Sequence, residues 1–235
     1  MSPKCHFKQI FKFFNTINSI KECFVFSSSK MSKTALMILA QGAEEMETTI
    51  TVDMLRRAGI TVTMAGLDGS APVLCSRQIT LVPDKSLADA LAEKPQYDAV
   101  IMPGGLEGSD RLAKSEVVGK VLKGHESNSK IVAAICAAPT VFVAHGIAVH
   151  KRITSYPTTK EKIPSDLYSY VEGERVVVDG NIVTSRVRII SCYYLCASEW
   201  LDVCAVILSV ASPALVLWVR SPNGTNLCVI RKDLF

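Results

Sequence analysis

The sequence lacks the features that mark several common classes of protein. Of its 235 residues, 20% are charged and only 7% are aromatic, and the net charge is +4. Residues 33–186 hold 17 basic and 18 acidic residues, so the central part of the chain has no basic excess. A nucleic-acid-binding domain is expected to present a basic face to the phosphates. Nucleic-acid binding is therefore not predicted.

Histidine is scarce, and none of the four histidines is well placed for catalysis. A cysteine nucleophile usually has a histidine base beside it. His125 follows a charged helical stretch and is expected to lie in solvent. His145 ends a predicted helix, and His150 lies in a loop rich in Lys and Arg. A Cys-His protease is therefore not predicted.

The eight cysteines do not form a metal-binding pattern or a disulfide scaffold. Cys192 and Cys196 are four residues apart, but no second pair of Cys or His completes a zinc site. A secreted disulfide scaffold is shorter and denser in Cys, and residues 1–32 contain no apolar signal-peptide core. We therefore expect an intracellular protein whose thiols are reduced. We also expect that it binds no metal and no cofactor.

The chain also lacks an uninterrupted apolar run that is long enough to span a membrane. Residues 203–219 carry no charge, but they number 17 and contain Pro213, whereas a spanning helix needs about 20 apolar residues. We therefore favour two other interpretations of these residues over a membrane anchor. They form a helix docked on the sheet, or they are apolar sequence that does not belong to the domain.

Composition divides the chain into three segments. Residues 1–32 have a net charge of +4 and six of the eight Phe, which is similar to a mitochondrial transit peptide except that Arg is absent. A disordered or artefactual extension ahead of Met31 is the favoured alternative. Residues 33–186 form the predicted domain, and residues 187–235 form an apolar tail of different character.

Residues 33–186 show the pattern of an α/β fold. Apolar runs of strand length occur at residues 35–40, 60–67, 99–102, 131–135, 176–178 and 182–184. Helical patterns occur at residues 46–58, 86–92, 115–125 and 140–145, and Gly59 and Gly146 stand where helix C-caps are expected. Apolar strands that alternate with helices predict a doubly wound parallel sheet covered on both faces.

In such a sheet, functional sites form where strands end. Cys136 follows the apolar run 131–135 and precedes a helix, so its thiol is expected on a sharp strand-to-helix turn resembling a nucleophile elbow. The positive end of that helix would favour the thiolate, which peroxide oxidises. A buried core cysteine is the alternative.

Two further strand ends carry residues suited to catalysis. Gly104 and Gly105 allow backbone N–H groups to approach an oxyanion closely, although a plain tight turn is the alternative. Glu44 and Glu45 are interpreted as partners of the helix dipole. Glu47 lies near the start of the helix, from which its side chain would reach back over the sheet edge, where a carboxylic acid would hydrogen-bond a thiolate or shuttle a proton.

Together these motifs resemble those of a known family. They are Ala40-Gln-Gly-Ala-Glu-Glu-Met-Glu47, Asp53-Met-Leu-Arg-Arg-Ala-Gly59, Met102-Pro-Gly-Gly105, Ala134-Ile-Cys136-Ala-Ala-Pro-Thr140 and Val178-Asp-Gly-Asn-Ile-Val-Thr-Ser-Arg186. The chain resembles the parkinsonism-associated deglycases of the PfpI and class I glutamine amidotransferase-like superfamily. The resemblance implies a flavodoxin-like sandwich, a homodimer and a cofactor-independent glyoxalase or protein deglycase that acts on methylglyoxal-type dicarbonyls. It also implies roles in oxidative stress and as a chaperone, in the cytoplasm and also in mitochondria and the nucleus.

The same resemblance assigns roles to individual residues. Cys136 is the implied nucleophile and redox sensor, and a protonated Glu47 is its hydrogen-bonding partner. The backbone N–H groups of the Gly104-Gly105 pair and of Ala137 are the implied oxyanion donors. Two arginines, Arg57 and Arg77, match residues near the family's site and dimer contact.

Two departures from the family pattern stand out. Tyr156 occupies the position before Pro157 where the family usually has His, and a phenol keeps its proton until about pH 10, which makes it a poor base. From Val187 onward the sequence replaces the family's Gly-rich turn and final helix with an unrelated apolar tail. The first departure leaves a non-catalytic redox sensor or chaperone, which signals through Cys136 oxidation, as the alternative function.

Overall fold

This computed structural model of the chain describes residues 33–186, together with the backbone of residues 216–220 and 226–230. The strands are β1 (Thr34–Leu39), β2 (Thr61–Gly66), β3 (Val73–Leu74), β4 (Thr80–Leu81), β5 (Lys85–Ser86), β6 (Ala99–Met102), β7 (Ile131–Ile135), β8 (Arg152–Ile153), β9 (Ser169–Tyr170), β10 (Val176–Asp179), β11 (Ile182–Ser185), β12 (Val216–Arg220) and β13 (Asn226–Ile230). The α-helices are α1 (Glu45–Arg57), α2 (Leu87–Glu93), α3 (Leu106–Lys114), α4 (Glu116–Ser127) and α5 (Pro139–His145). A 3₁₀ helix covers Pro157–Lys162.

Seven strands form the main sheet in the order β10-β11-β7-β6-β1-β2-β5. All neighbours pair in parallel except β10, which pairs with β11 as an antiparallel edge strand. Among the longer parallel strands, β2 pairs with one side of β1, and β6, β7 and β11 follow in that order on the other side. This is the flavodoxin-like order, which confirms the predicted fold class and places a ligand crevice at the boundary between β1 and β6.

Alternating side chains cover both faces of the sheet, because successive residues of a strand point in opposite directions. Leu36 and Ile38 of β1 belong to one apolar cluster, with Phe142 of α5 among its largest members. Ala35 and Met37 belong to a second cluster on the opposite face. Burial on both faces explains why the sequence of these strands is almost continuously apolar.

The predicted helices and strands of residues 33–186 agree closely with the observed ones. Gly59, which follows the C-cap Ala58 of α1, and Gly146, which directly follows α5, have φ values of +77° and +65°, as predicted for residues that end helices. The prediction missed α3, which begins directly after the glycine pair at 104–105. It also missed the short β3–β4 hairpin and the β8–β9 pair.

His125 is not in solvent, so the prediction for this residue was wrong. The side chain is buried in α4, where Nδ1 lies 2.7 Å from the Val121 carbonyl oxygen and Nε2 accepts the Tyr97 backbone N–H at 3.2 Å. Burial lowers the pKa of this imidazole. The ring therefore joins α4 to the chain that enters β6, and it does not face the functional site.

The two ends of the chain remain predictions. The proposed extension, residues 1–32, lies outside the described residues, as does most of the tail, residues 187–235. Within that tail, β12 and β13 pair in antiparallel. In the described part of the chain, no helix combines the length and the apolar composition needed to cross a membrane.

Asp98 joins the amino ends of β1, β6 and β7. Its Oδ2 accepts the Thr34 N–H at 3.0 Å, its Oδ1 accepts the Lys130 ammonium at 3.1 Å, and Lys33 lies 3.5 Å from the same oxygen. Burial alone would raise the pKa of Asp98, but the Thr34 N–H and the Lys130 and Lys33 charges lower it to about 2. The charged carboxylate therefore stabilises the amino-terminal edge of the sheet.

We predict that Asp98→Asn lowers the free energy of unfolding at pH 7 by about 1–2 kcal/mol. The folded-state pKa lies below the unfolded value of about 3.9. The carboxylate's contribution is therefore complete above about pH 4 and disappears as the pH falls through 2. Urea unfolding across this pH range measures the loss. Asp110→Asn is the control, because Asp110 pairs with Lys162 at 3.9 Å on the exposed surface; equal effects of the two substitutions at pH 7 would contradict the prediction.

Candidate active site

Three strand ends meet at the carboxyl edge of the sheet and enclose one cavity. The neighbouring strands β1, β6 and β7 lead into the segments that carry Glu47, Gly104 and Cys136, respectively. The cavity has a volume of about 430 Å³ and is lined by Gly42, Glu44, Glu47, Ser76, Arg77, Gly105, Leu106, Glu107, Cys136, Ala137 and Tyr156. The sheet topology thus brings together residues that are about 90 positions apart in the sequence.

Cys136 lies on a tight turn between β7 and α5, as predicted. Its φ of +58° is in the left-handed region, where a residue with a side chain is strained. The turn is held from both sides, because the Cys136 N–H donates to the Ser185 carbonyl at 2.9 Å and its own carbonyl accepts the Tyr156 N–H at 2.7 Å. These bonds fix the direction of the thiol, which is partly exposed to the cavity.

Glu47 is fully buried beside Cys136. Its Oε2 accepts the Gly104 backbone N–H at 2.5 Å, whereas its buried Oε1 has no hydrogen-bond partner that meets normal geometry. Burial, followed by the nearby Glu44 carboxyl, raises the pKa of Glu47 to about 8. Glu47 therefore keeps its proton at neutral pH, and the carboxyl O–H is available to the neighbouring sulfur atom.

The Cys136 thiol and the Glu47 carboxyl titrate as a coupled pair. Burial raises the pKa of Cys136, and a charged Glu47 raises it further, while the Ala137 N–H lowers it. This direction is opposite to the one expected from the helix terminus alone. Because protonation of Glu47 removes the repulsion, a thiolate at Cys136 requires the neutral form of Glu47.

Gly104 and Gly105 are required by the close approach of three chain segments. A Cβ at position 104 would lie 2.6 Å from Glu47 Oε2 and 2.7 Å from Cys136 Cβ. At position 105, where φ is +88°, a Cβ would lie 2.2 Å from the Gly42 carbonyl oxygen. Since the Gly104 N–H is bonded to Glu47, the predicted role as oxyanion donors remains for Gly105 and Ala137.

Of the other predicted site residues, some line the cavity and one does not. Tyr156 and Arg77 line the cavity, and the Arg77 backbone N–H donates to Glu45 Oε1 at 2.8 Å. Arg57 lies in the last turn of α1, where its guanidinium bonds to Asp53 at 2.7 Å, and it does not line the cavity. The cavity therefore includes one of the two predicted arginines.

Sequence reasoning missed some residues of the cavity and undervalued another. Leu106 and Glu107 belong to α3, the helix that was not predicted, and Ser76 lies in the β3–β4 turn. Glu44 was interpreted only as a helix-dipole partner, but it lines the cavity and caps α1. The spacing of Glu44 and Glu47, three positions apart at a helix start, is the signal that could have indicated this contact.

Comparisons with known proteins agree with this geometry. A model of the DJ-1/PfpI family matches residues 33–195. The chain is 53% identical to Protein dj-1beta of Drosophila melanogaster over 156 residues, which cover 66% of this chain and 82% of that protein. The chain belongs to the DJ-1/PfpI family. This membership confirms the predicted resemblance, and the family match extends past the predicted domain boundary at residue 186.

A solved structure of the same Drosophila protein and one further relative help to interpret the site. The crystal structure of Drosophila melanogaster DJ-1beta has a TM-score of 0.69 and 46% sequence identity, and covers 77% of this chain and 91% of that chain. A Caenorhabditis elegans protein named glutathione-independent glyoxalase DJR-1.2 is 38% identical over 155 residues, or 66% of this chain and 80% of that protein. The sheet of this chain thus has the fold of the DJ-1 structures.

We predict that Gly104→Ala slows alkylation of Cys136 by iodoacetamide by about 10²-fold, because the new methyl group displaces both Glu47 and Cys136. The rate is measured by mass spectrometry of the Cys136 peptide. Gly173→Ala is the control, since a Cβ at position 173 has no atom within 4 Å. A Gly104→Ala protein that folds and reacts at the unmodified rate would contradict the role of this glycine.

Proposed function

We propose that the protein is a cysteine-dependent glyoxalase and protein deglycase for methylglyoxal-type dicarbonyls and their early adducts. The observation that carries this proposal is the pairing of Cys136, on a strained turn open to the cavity, with a buried and protonated Glu47. A thiol beside a proton carrier is the arrangement that carbonyl addition needs. The glyoxalase name of the Caenorhabditis elegans relative supports the same activity.

In the proposed reaction, the Cys136 thiol first gives its proton to solvent, and the resulting thiolate, beside the neutral form of Glu47, adds to the aldehyde carbon of methylglyoxal. A C–S bond forms, the carbonyl electron pair moves to oxygen, and this oxygen takes a proton to give a hemithioacetal. The N–H groups of Gly105 and Ala137 would stabilise the oxyanion. We assign the donation of this proton to Glu47, and its protonated carboxyl beside the sulfur atom supports the assignment.

A proton transfer within the bound intermediate then completes the proposed chemistry. The hydrogen on the sulfur-bearing carbon leaves as a proton and returns to the neighbouring carbonyl carbon, so the first carbon is oxidised and the second is reduced. The resulting thioester reacts with water to release lactate and the Cys136 thiol. The overall change is the addition of one water molecule, and it needs no external oxidant or reductant.

We expect wild-type protein to convert methylglyoxal to lactate and Cys136→Ala to show only background turnover, because the nucleophile is lost. Tyr156→His is expected to raise kcat by about 10²-fold, since imidazole is the better acid–base group at neutral pH. Lactate formation and methylglyoxal loss are followed together. Cys75→Ala is the control, because Cys75 is a buried cysteine that does not line the cavity. Full turnover by Cys136→Ala would overturn the proposal.

A redox sensor or chaperone that signals through Cys136 oxidation is the second candidate. Tyr156 at the position of the expected histidine favours it, because oxidation of a thiolate does not require that base. A folded wild-type protein without turnover, whose Cys136 gains oxygen mass in peroxide, would select this candidate. Turnover restored by Tyr156→His would then identify the missing acid–base group.

We further propose that two copies of the chain form a homodimer, as the family resemblance implies. Four apolar side chains near the β3–β4 hairpin and the start of α1 are at least 42% exposed, a pattern typical of an interface; they are Met46, Leu74, Ile79 and Val82. Sedimentation equilibrium at micromolar concentration is expected to give twice the chain mass of 25.6 kDa. A single species at the chain mass would contradict the dimer.

We also propose that the protein is located in the cytoplasm, and in mitochondria and the nucleus as well.

A further inference from the structure

Three hydrogen bonds form a closed ring between the start of α1 and the loop after β6. The Glu44 N–H donates to the Gly104 carbonyl at 3.0 Å, and the Gly104 N–H donates to Glu47 Oε2 at 2.5 Å. The Glu47 N–H completes the ring by donating to Glu44 Oε2 at 2.7 Å. Glu44 therefore holds both the backbone of Glu47 and the glycine that binds the Glu47 carboxyl.

The carboxyl side chain of Glu44 is unusual for a residue that caps a helix. The preferred capping residues are Ser, Thr, Asp and Asn, and α2 and α4 of this protein are capped by Ser86 and Ser115. Glu44 caps α1 with a longer, acidic side chain that is only 7% exposed. A serine would cap the helix without placing a second acid beside Glu47, so the helix cap alone does not account for this residue.

Several charged or titratable groups face the two carboxyls. Burial raises the pKa of Glu44, and Glu45 adds to this effect, whereas the Glu47 N–H and the Arg77 cation lower it. The groups that face Glu47 are Glu44 from the start of α1 and Cys136 from the turn after β7. Arg77, Tyr156 and, from α3, Glu107 line the same cavity. The pKa of Glu44 is raised overall, but the Glu47 N–H and the Arg77 cation oppose the effect of burial. Because these two groups favour the charged form of Glu44, we assign the proton of the pair to Glu47.

We propose that Glu44 is a positioning residue that fixes the Glu47 carboxyl against Cys136 and, through its negative charge, keeps the proton on Glu47. This inference rests on the proposed role of Glu47 as the proton carrier at Cys136. Glu44 itself acts through Glu47. Its charge makes the ionised form of Glu47 costly, because two buried carboxylates repel each other.

The test measures the titration of Glu47 directly, without turnover. Infrared difference spectroscopy follows the protonated carboxyl band as the pH rises, and Glu47→Gln identifies the band by removing it. Glu44→Gln keeps an acceptor oxygen for the Glu47 N–H but removes the charge. The midpoint of the Glu47 titration is therefore expected to fall by about one pH unit.

Glu45→Gln is the matched control. Glu45 lies in the same helical turn and is also buried, but its carboxylate accepts the Ser76 hydroxyl and the Arg77 backbone N–H, and it is not one of the groups that shift the pKa of Glu47. The Glu47 midpoint is expected to stay within about 0.3 pH units in this variant. An equal shift in Glu44→Gln and Glu45→Gln would overturn the proposal, because a general loss of negative charge would then explain both.

A second pair of variants keeps the test decisive if Glu44→Gln does not fold. Asp and Asn are both good capping residues, have the same shape and differ in charge. Glu44→Asn is expected to lower the Glu47 midpoint relative to Glu44→Asp. Equal midpoints in the two folded variants would show that Glu44 acts only as a helix cap and would overturn the proposal.

The infrared signal needs no substrate, so the test of Glu44 is separate from the test of the proposed function. If the midpoint shifts but no variant turns over methylglyoxal, the proposed function is refuted and the positioning role of Glu44 stands.

Discussion

The burial of the Glu47 carboxyl is the constraint on which the rest of the site depends. A carboxylate without solvent is costly, so the group keeps its proton and takes one backbone hydrogen bond, from Gly104. That bond leaves no room for a Cβ at position 104, which explains the first glycine of the pair after β6. The burial also leaves a neutral acid beside the Cys136 sulfur atom.

The strained turn at Cys136 persists because the surrounding sheet determines it from several sides. A residue with positive φ costs of order 1–3 kcal/mol unless its neighbours hold it. Here the carbonyl of Ser185, at the end of β11, and the N–H of Tyr156 bind the two sides of the cysteine peptide. The stability of the central sheet thus supports a local conformation that the sequence around Cys136 would not adopt by itself.

Membership of the DJ-1/PfpI family and the departures of this chain from the expected pattern have separate consequences. The three segments that converge on the cavity carry the motifs on which the resemblance rests. Tyr156 stands on the cavity wall at the position of the expected histidine, so the proposed carbonyl addition relies on Glu47 as its proton carrier. Because a neutral acid does not repel a negative charge on the sulfur atom, the arrangement is compatible with both the proposed carbonyl addition and the alternative peroxide sensing.

The sequence by itself determined the alternation of strands and helices, the ends of α1 and α5, and the position of Cys136 on a turn, because these follow from local periodicity and from single residues. It did not reveal α3, whose first turn follows Gly105, a residue with a φ of +88° that packs closely against the Gly42 backbone. It misplaced His125, since burial depends on what packs against a helix. The bond between Glu47 and Gly104 joins residues 57 positions apart. Only the tertiary structure brings these two residues together, and with them the protonated state of Glu47, because desolvation is a property of the assembled core and not of any segment of the chain.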